Sequence, residues 1–113
     1  MFVVRIPSTW DGSAITFDPD WATGAGGAGT ITTTPYSACL SPGNSVDSVT
    51  WHAGSNVTGT PGSGGYFQGA TSLSVPLTGC AAGNLMFLAV ARQAGDSYAS
   101  SVYLLGGNLS IKY

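Results

Sequence analysis

Ala14-Ile15-Thr16-Phe17-Asp18-Pro19-Asp20-Trp21 alternates without a break. Ile15, Phe17, Pro19 and Trp21 fall on one side; Thr16, Asp18 and Asp20 fall on the other. A period of two is that of an extended strand with one face in a core and the other in water. Proline withholds a ladder hydrogen bond, so Pro19 predicts a sheet edge or a bulge.

The same pattern recurs in both directions, punctuated by turn residues every 8 to 15 positions. Residues 2–6 form a first short strand, closed by the turn Pro7-Ser8-Thr9-Trp10-Asp11-Gly12. A glycine-rich loop covers 24–29. Residues 30–40 read as a strand interrupted at Pro35, and 48–52 as another strand. A long Gly, Ser, Thr and Pro loop fills 54–65. Within 70–77, Leu73, Val75 and Leu77 alternate with hydroxyl residues. Residues 85–92, Leu-Met-Phe-Leu-Ala-Val-Ala-Arg, are nearly all apolar and read as a central strand buried on both faces. Gly106-Gly107 between two short apolar runs, 101–105 and 108–113, reads as a hairpin. Seven or eight strands and no helix give an all-β fold. The expected architecture is one domain over 1–113, a two-sheet antiparallel sandwich in a jelly-roll-like or immunoglobulin-like order.

Composition agrees. The chain has 113 residues, enough for one core. Charged residues make up only 7%, with no Glu, five Asp and three basic residues. The residues that fill helix surfaces are therefore scarce. Hydrophobic content of 43% and a net charge of −2 are unlike those of disordered chains. No Lys/Arg cluster exists to hold phosphates, so nucleic acid is not an expected partner. No apolar run approaches the roughly 20 residues of a membrane-spanning helix. The N-terminus, beginning at Met1, lacks a basic segment followed by an apolar stretch. The chain is expected to stay in the cytoplasm, leave it by lysis or be a mature form whose leader is removed, and Met1 favours the first two. So little surface charge gives little self-repulsion, which suits a protein that works inside an assembly.

Candidate chemistry is sparse. A Ser-His-Asp triad would have to use His52, and no G-x-S-x-G elbow occurs. Cys39 or Cys80 with His52 would make a thiol dyad. Zinc needs three or four Cys or His ligands, and the chain has three such residues in total. Asp18 and Asp20, with Asp47, could offer oxygens to calcium, but a solvated strand face explains them as well. The balance is against an enzyme and against any cofactor or metal. Cys39 and Cys80 could form one bridge; a reducing cytoplasm favours two buried thiols. Asn56-Val57-Thr58 and Asn108-Leu109-Ser110 match a glycosylation pattern that matters only in secreted eukaryotic proteins. Trp10, Trp21, Trp51, Tyr66, Phe67 and Tyr98 could stack on sugars, or serve as core and interface residues. Trp21 and Trp51 are expected in the core. Tyr66 and Phe67, in the long loop, and Trp10 are the candidate contact residues.

Two stretches resemble a module of tailed-bacteriophage virion structural proteins. One is Phe2-Val3-Val4-Arg5-Ile6-Pro7-Ser8-Thr9-Trp10-Asp11-Gly12-Ser13-Ala14-Ile15-Thr16-Phe17 with Trp21. The other spans 70–113: a Ser-Val strand after Ala70-Thr71, an Ala-Gly-Asn-Leu turn over 82–85 and an apolar strand ending in Ala91-Arg92. A turn at Asp96, a Leu-Leu-Gly step at 104–106 and a closing Ile-Lys-Tyr complete it. Residues 22–69 depart from the module. The resemblance implies a jelly-roll-like sandwich on the phage particle surface. Its implied role is a head decoration (cement) protein, homotrimeric and bound to the major capsid protein. The alternative is a tail-fibre or tail-tip domain that binds host glycans. It implies no catalytic residue.

Overall fold

The computed structural model describes residues 1–24, 28–61, 65–68 (backbone only) and 72–113. Among the described residues are nine strands: β1 (Phe2–Arg5), β2 (Thr16–Thr23), β3 (Ile31–Leu40), β4 (His52–Ala53), β5 (Val57–Gly59), β6 (Gly65–Gln68), β7 (Leu73–Ser74), β8 (Leu85–Arg92) and β9 (Val102–Ser110). They form two antiparallel sheets. The first has the order β1-β8-β3, with β4 and β5 sharing the far edge of β3. In the second, β2 lies between β9 on one side and β6 and β7 on the other. The fold is the expected all-β two-sheet sandwich.

The alternation that opens the chain is what closes the core. Ile15, Phe17, Pro19 and Trp21 are all buried, and Thr16, Asp18 and Asp20 are half-buried. From the opposite sheet come Ile6, Met86 and Leu88, and β7 and its extension supply Leu73 and Val75. The rings of Phe2 in β1 and Phe17 in β2 meet at 5.3 Å between centroids, where the sheets touch. Each fully buried aliphatic side chain contributes about 1.5–3 kcal/mol through water exclusion.

Several sequence expectations change. Pro19 lies in an interior strand, between the pairings Phe17↔Leu73 and Asp20↔Gln68. The register against β9 shifts beside it, between Asp20 and Trp21, which is the anticipated bulge. Pro35 does not interrupt β3. It sits between the part of β3 paired with β5 and the part paired with β4, where its carbonyl still accepts Gly54 N–H at 2.8 Å. The strand expected over 48–52 is instead a 3-10 turn, Val46–Ser48, followed by the two-residue β4. The loop expected over 54–65 contains β5, whose Thr58 hydroxyl meets that of Thr32 at 3.0 Å. These two- and three-residue strands raise the count above seven or eight.

The hairpin expected at Gly106-Gly107 is a single strand, β9, running through both glycines. Its partner is β2 along its whole length, so neither glycine makes a turn, and Gly107 serves close packing against β2.

Cys39 and Cys80 are bonded as a disulfide, which corrects the expectation of two thiols. The sheet register explains it. Leu40 pairs with Leu85, so the turn that leads into β8 lies beside the end of β3, and the Cα atoms are 5.1 Å apart. Closing a loop of 41 residues removes denatured-state entropy equivalent to about 4 kcal/mol in the chain-entropy model.

Candidate binding faces

A two-layer sandwich has one core and two outer faces, and here the outer faces differ in chemistry. Residues paired across an antiparallel ladder point to the same side. Met86 and Leu88 point inward, so Leu85, Phe87 and Ala89 of β8 point outward. Their partners outward are Val3 and Arg5 on β1 and Tyr36, Ala38 and Leu40 on β3. Trp51, from the segment between the 3-10 turn and β4, lies on Phe87 with ring centroids 6.5 Å apart. Ala38 is wholly buried, while Val3 is 53% exposed and Trp51 42%. The face is thus an apolar surface with one charge, Arg5, at its rim. Arg5 Nη1 donates to the Gly83 carbonyl at 3.3 Å and borders a cleft of about 160 Å³ lined by Leu40, Leu85 and 41–44.

The outer face of the second sheet is polar. Thr16 pairs with Ser74 and Ser110, and Asp18 pairs with Asn108. The Ser72 hydroxyl donates to the Asp18 carboxylate. Among the described residues one end is apolar: Ala22 pairs with Tyr103, which is 61% exposed, and Leu105 at the bulge is 59% exposed.

The sequence candidates take different places. Trp10 is half-buried against the core, and its indole Nε1–H donates to the Ser13 carbonyl at 3.1 Å, so it anchors its own turn. In that turn Ser13 N–H donates to Asp11 Oδ1 at 2.8 Å. Ser13 first, and then Lys112, hold the Asp11 carboxyl below its ordinary range. Tyr66 and Phe67 lie in β6, paired with Ala22 and Trp21, rather than in a loop; their side chains lie outside the described residues. Trp51 is a surface residue, not a core residue, whereas Trp21 is buried. His52 sits in β4, in register with Ser37. Both cysteines are bonded to each other, so no thiolate is available to His52. Among the described residues no group of Cys, His and Asp could hold a metal ion.

The strand over 85–92 was expected to be buried on both faces; the structure buries Met86 and Leu88 and leaves Leu85, Phe87 and Ala89 half-buried on the outer side. Residues 85–91 are apolar at every position, and a two-layer sandwich can bury only one side of them.

One charged device fixes the turn after β8. Arg92 Nε and Nη2 each donate to the Asp96 carboxylate at 2.8 Å, and Asp96 is 3% exposed. Arg92 Nη1 also donates to the Ser100 carbonyl at 2.9 Å, and the guanidinium lies 5.9 Å from the centre of the Tyr98 ring. Hydrogen bonds from Arg92 outweigh burial and lower the Asp96 pKa, and Asp96 raises that of Arg92 in return.

No protein-family model, curated protein or solved structure matches the chain.

Proposed function

We propose that this chain is a bacteriophage virion structural protein that works by packing, as a capsid decoration (cement) protein on the particle surface. The observation that carries the reading is the apolar outer face built by Val3, Phe87 and Trp51 on a sandwich whose other face, among the described residues, is polar except at the Tyr103 and Leu105 end. Contiguous apolar surface of this kind marks a site of protein association. The low charge of the chain points the same way, as does the likeness of 2–21 and 70–113 to virion modules.

The mechanism is mechanical. Apolar and hydroxyl-rich contacts would be made in many copies, and their sum would hold neighbouring capsid subunits against internal pressure. Each contact can be weak because the number of copies is large.

The test is copy number per virion, by quantitative mass spectrometry against the major capsid protein. Hundreds of copies are expected. A handful would move the protein to the tail and favour glycan binding there; absence from the particle would overturn the reading.

A further inference from the structure

We propose that the Cys39–Cys80 bridge is a redox-sensitive lock on the β1 edge of the first sheet. Reduced, it frees the turn 78–84 and with it β1. Oxidised, it fixes β1 and the apolar outer face that β1 completes. The consequence for docking rests on the reading of that face as the contact surface; the lock itself does not.

The ends of β1, β3 and β8 meet at this turn. The β1–β8 ladder runs to Arg5↔Leu85. Beyond it the turn takes over: Ile6 N–H donates to the Asn84 carbonyl at 2.8 Å, and Gly83 N–H donates to the Ile6 carbonyl at 2.9 Å. Arg5 Nη1 adds its bond to the Gly83 carbonyl. β1 is only four residues long and pairs with β8 on one side, so the turn supplies much of what holds it. β1 is also the strand that carries Val3 to the outer face.

The turn itself is held against β3. Before it, the Ser37 hydroxyl donates to the Pro76 carbonyl, and after it Leu85 pairs with Leu40. Between these anchors, two links to the end of β3 are found among the described residues. One is the Cys39–Cys80 bridge. The other is a hydrogen bond from Asn84 Nδ2 to Ser41 Oγ at 3.4 Å, longer than the usual range and therefore weak. Asn84 is buried, and its Oδ1 accepts Ala81 N–H at 2.9 Å, which orders the turn internally without tying it to β3. The bridge is the strong tie.

The bridge is also within reach of solutes. Both cysteines are half-buried, and Cys80 is flanked by exposed Thr78, Gly79, Ala81 and Ala82. In a reducing compartment the pair stays as two thiols. On release, a small-molecule disulfide closes it. One cysteine thiolate attacks the small disulfide and displaces a thiol; the second cysteine then attacks the mixed disulfide and displaces the other. The cysteines lose two protons and two electrons as their S–S bond forms, and the oxidant leaves as two thiols. The outer face is thereby completed only after the chain leaves the compartment in which it is made.

The experiment is a set of nitrogen–proton correlation spectra of the full chain, oxidised and after reduction by a phosphine. The Cys39→Ala, Cys80→Ala double variant serves as a form that cannot reoxidise. Amide signals of 2–6 and 78–84 should shift or broaden on reduction, while those of 16–23 and 102–110 in the other sheet stay in place. Oxidised glutathione should restore the parent spectrum. Affinity for expanded capsids should fall roughly tenfold or more on reduction. Unchanged signals at Ile6, Gly83 and Asn84 overturn the lock. So does collapse of the whole spectrum, because the bridge would then hold the entire fold rather than one edge. Equal capsid affinity in both states overturns the docking consequence. A lock seen in the spectra with no capsid binding in either state upholds the lock and counts against the virion reading.

Discussion

The ring of Phe17 occupies the space that a side chain at Gly107 would need. A Cβ built on Gly107 would meet the Asp18 carbonyl oxygen first, and falls 2.6 Å from Phe17 Cζ and 2.7 Å from Cε2. Gly107 pairs with Pro19 in the β2–β9 ladder, so Phe17 lies diagonally across from it. An aromatic ring laid over a strand glycine restores the packing that the glycine forgoes. Gly107→Ala is therefore expected to push β2 away at the Asp18 carbonyl and Phe17 out of the core contact it makes with Phe2. The expected loss is about 2–3 kcal/mol, typical of overpacking. Gly59→Ala, where nothing lies within 4 Å, should change stability by no more than about 0.5–1 kcal/mol. Urea unfolding of the two variants checks the contrast; equal effects would show that the ring does not constrain the glycine.

Reduction should cost the fold heavily. Breaking Cys39–Cys80 releases a constraint worth about 4 kcal/mol, a large share of the stability of a small domain. Thermal melts with and without a phosphine reductant measure it. A Cys39→Ala, Cys80→Ala double variant should match the reduced protein.

Removing the Arg92–Asp96 contact should loosen the turn that follows β8. Asp96→Asn leaves Arg92 without its bidentate partner and should destabilise by about 1.5–3 kcal/mol, the range for charged hydrogen bonds. Proteolysis within 93–101 should become faster, because Thr32 N–H also loses its bond to Asp96 Oδ2.

The same carboxylate sets a pH dependence. The Asp96 pKa is lowered in the fold, chiefly by hydrogen bonds from Arg92, and that of Asp11 is lowered by Ser13. A depressed folded-state pKa gives stability that is complete above the unfolded value of about 3.9 and is lost as pH falls through the folded value. The thermal midpoint should hold steady from neutral pH to about pH 4.5 and then fall. Asp96→Asn should flatten the acid limb; an unchanged limb would place the titrating group elsewhere.

The two faces of β8 should respond oppositely to truncation. Met86→Ala and Leu88→Ala remove wholly buried side chains and should cost about 2–5 kcal/mol each. Phe87 points outward, so Phe87→Ala should cost less stability while weakening binding to expanded capsids. Denaturation and capsid-binding assays of the three variants separate the two roles.

The sequence by itself determined the class of structure. Period two in 14–21 and at Leu73, Val75 and Leu77 can be satisfied only by strands with one buried face, and turn residues kept those strands short. Low charge pointed to packing as the mode of action. Tertiary structure alone decided the rest. Gly106-Gly107 has the composition of a turn, yet lies within a strand because β2 supplies a partner along its full length. Cys39 and Cys80 lie far apart in sequence and meet only through the β3–β8 register. Residues 85–91 are apolar throughout, so composition cannot say which side is core. That choice falls to the second sheet: the side against Phe17 and Leu73 becomes the interior, and Phe87 with Trp51 is left as a surface.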